Sequence, residues 1–272
     1  MRYREWQPDP ELTNWVKCAW TLDGGESAPS FRMAQPVIPD GCIEVVFHLA
    51  DPFVRCIDEL ELRQPSALVV GQTTGPTFVR PSGRVRAFGI RLLPWGGTAL
   101  FRRPVSDITD EYLPVDDLLP ALAGLRSELA AAPERIWPRI AFDRLSRSFS
   151  SAGRFGTSSK MARLIVQEHG RITVRGLAEK FGCTARTVER ILKTEVGLPP
   201  LLFARIVRIQ QALGRVGRSS PGQLGDLAIQ TGFYDQAHFC RDFKRLTSLT
   251  PTQFRAEGRE ITRALTGWPF KS

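Results

Sequence analysis

The sequence is poor in the residues that build metal centres and disulfide frameworks. Its 272 residues hold three histidines, His48, His169 and His238, with no two at metal-ligand spacing. Five cysteines (Cys18, Cys42, Cys56, Cys183 and Cys240) are odd in number and scattered, without a CxxC pair. That pattern argues for reduced, structural thiols rather than disulfides or zinc. No apolar run approaches the ~20 residues of a membrane span. The longest, such as Val45-Val46-Phe47 and Val69-Val70, are strand-sized. The opening Met1-Arg2-Tyr3-Arg4-Glu5-Trp6 does not lead into the apolar core of a signal peptide. A cytoplasmic protein without membrane contact is expected. Nor does any nucleophile–base pair, Gly-rich phosphate loop or carboxylate constellation stand out, so neither an enzyme nor a cofactor is expected.

What the chain does have is basic charge, and it is unevenly placed. From Ser151 onward there are 20 Lys and Arg against 9 Asp and Glu, whereas the first 150 residues hold 17 against 19. A basic module joined to a near-neutral one points to a polyanion as partner of the rear half. The polar, Ser/Gly-rich segment from Ser146 to Ser159 divides the two. The expected organisation is a front domain over 1–150, a linker over 151–157, a rear domain over 158–258 and a tail over 259–272.

The front domain reads as mostly strand over its first ~110 residues. Segments 41–49, 68–71 and 85–92 are rich in β-branched residues and bounded by Gly or Pro, as after the turn Pro39-Asp40-Gly41. Turn-separated short strands suggest a small barrel or sandwich. Between 115 and 149 the period becomes helical, with Leu118, Leu119, Leu122, Leu125 and Leu129, then Ile136, Ile140 and Leu145 after Pro133. Those leucines suit either a dimer face or packing on the strands.

The rear half is helical by periodicity, with helices expected near 158–169, 174–181, 184–194, 199–216, 221–231, 235–246 and 251–257. Two units share one grammar. In the first, the apolar Leu177, Ala178 and Phe181 stop at Gly182, Thr184 can cap the next helix, and Val188, Ile191 and Leu192 form its buried stripe. That arrangement leaves Arg186, Glu189, Arg190 and Lys193 outside. In the second, Leu224, Leu227, Ala228 and Ile229 form an apolar face leading to Gly232, Asp235 can cap, and Phe239 and Phe243 form a buried i, i+4 pair. There Gln236, Cys240, Arg241, Lys244 and Arg245 face out. Gln reads adenine and Arg guanine bidentately, while Lys and Arg at helix ends suit phosphates. Two such basic units in tandem point to double-stranded DNA.

The run from Asp226 through Gly232-Phe233, Ala237-His238-Phe239 and Phe243-Lys244-Arg245, followed by Thr250-Pro251 and Phe254-Arg255, resembles the signature of the AraC/XylS family of transcription regulators. The upstream unit, with Leu177-Ala178, Arg190 and Gly197, is similar to that family's first helix-turn-helix. The resemblance covers about 157–258, and Ser248 departs from it by standing where the family carries Gly. It implies an α+β two-domain protein whose rear half is an all-α domain with two helix-turn-helix motifs. A long helix at about 199–216 would hold two recognition helices on one face, roughly one DNA turn (~34 Å) apart. By matching positions, Arg186, Glu189 and Arg190, then Gln236, Cys240 and Arg241, become the base readers.

In front, Val37–Phe47, Val70-Gly71-Gln72-Thr73 and Phe88–Pro94 resemble an uncharacterised N-terminal domain of some family members, which implies a cupin-like barrel. Trp20, Glu44, Phe47 and Arg91 are the candidates for a small-molecule effector pocket there. The other reading is a regulator without ligand, whose front half serves only for homodimerisation or contact with RNA polymerase.

Overall fold

The computed structural model describes residues 1–24, 34–101, 103–149, 156–217 and 221–256. Most of the linker expected at 151–157, and the whole tail expected at 259–272, lie outside the described residues.

The front domain is built on two antiparallel sheets. The larger runs β1 (Arg2–Trp6), β2 (Val16–Asp23), β9 (Arg86–Leu92), β4 (Ile43–His48), β7 (Ala67–Val70) and β10 (Tyr112–Pro114). The smaller runs β3 (Gln35–Val37), β8 (Thr77–Pro81), β5 (Phe53–Ile57) and β6 (Leu60–Arg63). Among the described residues no ladder joins them, so the expected barrel does not close, and the sandwich alternative is the one realised. Closure requires edge strands that can accept a partner with the right stagger. Here Pro36 and Pro114 remove backbone donors from β3 and β10, which places both strands at sheet edges. The other edge of the smaller sheet, β6, is exposed along its whole length.

The larger sheet is covered on both faces, and strand alternation sorts its side chains. Ile43, Val45 and Phe47 of β4 point one way together with Phe88, Ile90 and Leu92 of β9. That face packs under α1 (Gly96–Leu100) and the helical run α2 (Val115–Leu118), α3 (Leu125–Ala131) and α4 (Trp137–Phe149). Leu119, Leu122, Leu125, Leu129 and Leu145 are all buried there. The leucine stripe is therefore used up inside the chain, and the dimer-face reading loses its basis. On the other face Cys18, Trp20, Leu22 and Ala87 meet Phe53 and Val79 of the smaller sheet.

Among the described residues, the rear domain is a bundle of seven helices: α5 (Thr157–Gln167), α6 (Val174–Lys180), α7 (Ala185–Val196), α8 (Pro200–Val216), α9 (Leu224–Gln230), α10 (Gln236–Thr247) and α11 (Pro251–Ala256). Its axis is α8, whose Phe203, Ile206, Val207, Ile209, Ala212 and Leu213 are buried on more than one side. A helix buried nearly all round must be a scaffold for its neighbours. One end of α10 carries a local strain. Ser248 caps it at φ +62°, a left-handed conformation that favours glycine. The Ser248→Gly variant is expected to gain about 1 kcal/mol of stability, read as a rise in the thermal midpoint. An unchanged or lower midpoint would show that the serine is relaxed there.

The two domains share a packed seam. Ile38 and Trp95 of the front domain belong to the rear domain's apolar core. Thr109 Oγ1 donates to the Gly197 carbonyl at 2.8 Å, and Thr98 Oγ1 to the Glu195 carbonyl at 2.5 Å, both at the C-terminal end of α7. Gln210 of α8 donates through Nε2 to the Pro39 carbonyl at 2.7 Å.

Candidate nucleic-acid interface

Each helix-turn-helix is shaped by the residues the sequence singled out. In the first unit, Thr173 caps α6 by accepting from the Gly176 amide at 3.0 Å, and Thr184 caps α7 by accepting from the Thr187 amide at 3.2 Å. Gly182, at φ +60°, makes the turn between them. In the second unit, Asp235 caps α10 by accepting from the His238 amide at 2.6 Å, and Gly232 turns at φ +84°. Thr231 seals the end of α9 by donating to the Leu227 carbonyl at 2.6 Å. Such caps and turns fix the angle at which the second helix of each pair leaves the first.

Packing then decides which faces remain outside. Val188, Leu192 and Val196 bury one stripe of α7, and Phe239, Phe243 and Leu246 one stripe of α10. Phe239 lies edge-on to both Phe233 and Phe243, with ring centroids 5.2 and 5.5 Å apart. The opposite faces hold the predicted readers. Arg186, Glu189, Arg190 and Lys193 on α7, and Gln236, Arg241, Lys244 and Arg245 on α10, are all exposed, while Cys240 is half-buried. Among the described residues, no ion pair or side-chain hydrogen bond occupies Arg186, Arg190, Arg241, Lys244 or Arg245. That matters, because a guanidinium held in a surface salt bridge would have to break it to reach DNA.

The α8 helix packs against both α7 and α10. Arg205 pairs with the buried Asp242 of α10 at 3.0 Å, and His238 Nε2 lies 3.3 Å from the same Oδ2. Arg208 donates to the Gly170 carbonyl at 2.9 Å, its guanidinium lying over the Phe233 ring. His238 thus packs edge-on to Phe233 at 5.4 Å, with its Nε2 beside Asp242. Burial pushes the Cys240 thiol above its ordinary pKa, which argues against a reactive thiolate on this face. Tyr234, 87% exposed just before α10, went unnoticed in the sequence. An exposed aromatic beside a recognition helix has no period to reveal it.

The front domain holds a second feature, a cavity of about 80 Å³ between the two sheets. Trp20, Glu44 and Arg91 line it, as does Asp40, which the sequence reading treated only as part of a turn. Phe47 does not line it, for its ring lies on the opposite face of β4 in the helix-covered core. Arg91 is 1% exposed. Its Nε bonds Glu44 Oε1 and lies 3.4 Å from Asp40 Oδ2. Glu44 also accepts from Trp20 Nε1 at 2.8 Å. Burial pushes the Glu44 carboxyl above the usual range, against the pull of Arg91. Burial opposes the charge on Arg91 too, but Glu44 and Asp40 outweigh it and hold the guanidinium well protonated.

At the far end of the cavity, His48 sits 2.9 Å from Gln64 Oε1. Burial lowers its pKa from 6.5 to about 4, so the folded ring stays neutral where the unfolded one takes a proton. Between those values the unfolded chain binds more protons, and stability falls as the pH drops through that window. The expected loss from this residue is about 3 kcal/mol. Denaturation of wild type and His48→Gln at several pH values checks it: the variant should have the shallower slope, and equal slopes would contradict it.

Among the described residues there is no group of three His, Cys, Asp or Glu placed to hold a metal, and no helix long and apolar enough to cross a membrane.

Comparison with known proteins separates the same two regions. Residues 4–114 match a family described as a domain of unknown function (DUF6597), and residues 177–257 one described as a helix-turn-helix domain. The chain is 28% identical over 145 residues to the HTH-type transcriptional activator RhaS of Pectobacterium atrosepticum, covering 50% of this chain and 52% of RhaS. It is 33% identical over 111 residues to the HTH-type transcriptional regulator GlxA of Rhizobium meliloti, covering 39% of this chain and 34% of GlxA. A crystal structure of ToxT from Vibrio cholerae aligns over 98% of this chain and 100% of its own, with 10% identity and a TM-score of 0.49. The chain spans about half or less of the length of these curated relatives.

Proposed function

Because the chain is an AraC-type helix-turn-helix protein whose front domain belongs to the DUF6597 family, we propose that it is a sequence-specific, DNA-binding transcription regulator and not an enzyme. The observation that carries this reading is the pair of capped recognition helices, α7 and α10, mounted on the single buried scaffold α8 with their basic faces unpaired. Arg186, Glu189, Arg190, Gln236, Cys240 and Arg241 would read base edges, while Lys193, Lys244 and Arg245 would hold phosphates. With two readers on one chain, DNA recognition does not require a two-fold dimer.

DNA binding is modulated by a small-molecule effector in the front domain. Two features support this over a front half that serves only for oligomerisation or polymerase contact. The space between the sheets is a partly polar cavity rather than a filled core. In addition, the front domain grips α7 and α8, the helices that place the readers.

Selection from a random duplex pool tests the DNA-binding reading. The expected result is enrichment of a bipartite motif with two half-sites about one helical turn apart. Recovery of unenriched sequences, bound only through salt-sensitive background contacts, would overturn it.

A further inference from the structure

Of the six large apolar side chains left exposed among the described residues, three crowd onto one hairpin. They are Ile57 of β5, 39% exposed, and Leu60 and Leu62 of β6, 56% and 44% exposed. Ile57 stands opposite Leu60 on the ladder, and Leu62 is two residues further on, so all three share one face of the sheet.

The strand that carries the two leucines is also an open edge. Edges β3 and β10 hold Pro36 and Pro114, whereas β6 has neither a proline nor a bulge to blunt it. One bond fixes the direction of its backbone: the Gln64 amide donates to the Phe53 carbonyl at 2.9 Å. Hydrogen-bonded and non-hydrogen-bonded pairs alternate along an antiparallel ladder. Leu62 and Leu60 therefore bond to Arg55 and Ile57, and the amides and carbonyls of Glu61 and Arg63 point away from the sheet. Among the described residues nothing bonds these outward groups. The turn Asp58-Glu59 before them and Pro65 after them, which has no amide, confine the open edge to these two residues.

We propose that this edge pairs with the same edge of a second copy of the chain, β6 antiparallel to β6 about a two-fold axis at Leu62. Charge selects that register. An axis at Glu61 would set the carboxylate against its own copy, and an axis at Arg63 would set two guanidiniums together, both unfavourable. An axis at Leu62 places Glu61 opposite Arg63 of the second copy, twice by symmetry, and their outward groups exchange backbone hydrogen bonds. It also makes Leu62 and Leu62 of the second copy the close, non-hydrogen-bonded pair, with both Leu60 side chains on the same apolar strip. Glu61 already faces Arg80, and among the described residues Arg63 has no carboxylate of its own. The pairing occupies the open edge of both copies, so assembly stops at a dimer. One short strand from each copy covers less than the roughly 800 Å² per partner of a standard complex, so the dimer is weak, with a Kd on the order of 10–100 µM.

Sedimentation equilibrium of the full chain without DNA tests the pairing, so it can fail while the DNA-binding reading stands. The expected result is a reversible monomer–dimer equilibrium between about 1 and 300 µM. Leu62→Lys, which sets two ammonium groups at the axis, should raise the Kd at least about tenfold. Glu61→Lys and Arg63→Glu should each weaken the dimer, and the two together should pair at least about fivefold more tightly than either alone. A folding defect would not give that recovery. A chain still monomeric at about 300 µM, assemblies larger than a dimer, a dimer indifferent to Leu62→Lys, or a double variant no tighter than the single ones would overturn the proposal.

Discussion

Replacing Arg190 and Arg241 together by alanine is expected to weaken binding at the cognate DNA by about 2–6 kcal/mol, on the order of 30-fold to 10⁴-fold. Each arginine reading a guanine is worth about 1–3 kcal/mol. The two sit on different recognition helices, α7 and α10, and share no contact, so their losses should add. Neither side chain is buried or tied into the fold, so both variants should melt like the wild type. Each single variant should relax the choice of base in its own half-site and leave the other half-site intact. Competition binding against site variants measures this. A double variant that binds like wild type would show that other residues form the reading faces.

Affinity should also collapse with salt. Arg186, Arg190, Lys193, Arg241, Lys244 and Arg245 lie exposed on the two recognition helices, and the basic excess is confined to this half of the chain. If about six phosphates are neutralised, affinity falls about a thousandfold between roughly 50 and 200 mM salt through counterion release. Substituting Lys244 or Lys193 by alanine should reduce the slope by about one and weaken binding alike on all sequences. A nearly flat response in the wild type would remove the electrostatic part of the account.

The rear domain was legible because its local signals agree with its tertiary structure. Thr184 and Asp235 cap the helices they precede, Gly182 and Gly232 turn as read, and Val188 and Leu192 of α7 and Phe239 and Phe243 of α10 are buried as expected, whereas Ile191 is only half-buried and Ile229 of α9, expected on an apolar face, is exposed. Amphipathic helices with one free face announce themselves. The front domain obscures its signals in two ways. Strand β2, Val16–Asp23, is buried on both faces, so it shows no alternation to detect. The region 115–149 has a helical period, but Pro120, Gly124 and Pro133 cut it into short pieces that only the sheet beneath holds in line.

The pocket candidates show a finer limit. Glu44 and Phe47 are three residues apart on one strand, and a period of two sends them to opposite faces. Glu44 therefore joins Arg91, its direct partner across the ladder, at the cavity, while Phe47 joins Ile43 and Val45 in the core. Asp40 was hidden for another reason. In Pro39-Asp40-Gly41 it satisfies a turn, and only the fold shows that the turn also closes a cavity and receives a hydrogen bond from α8.

A hydroxyl-radical footprint of the protein on DNA from upstream of its own coding sequence addresses the central claim most directly. Two readers fixed on one rigid α8 predict two protected segments on the same face of the duplex, ~34 Å apart, from a single bound chain. One protected segment per chain, or two on opposite faces, would contradict the account.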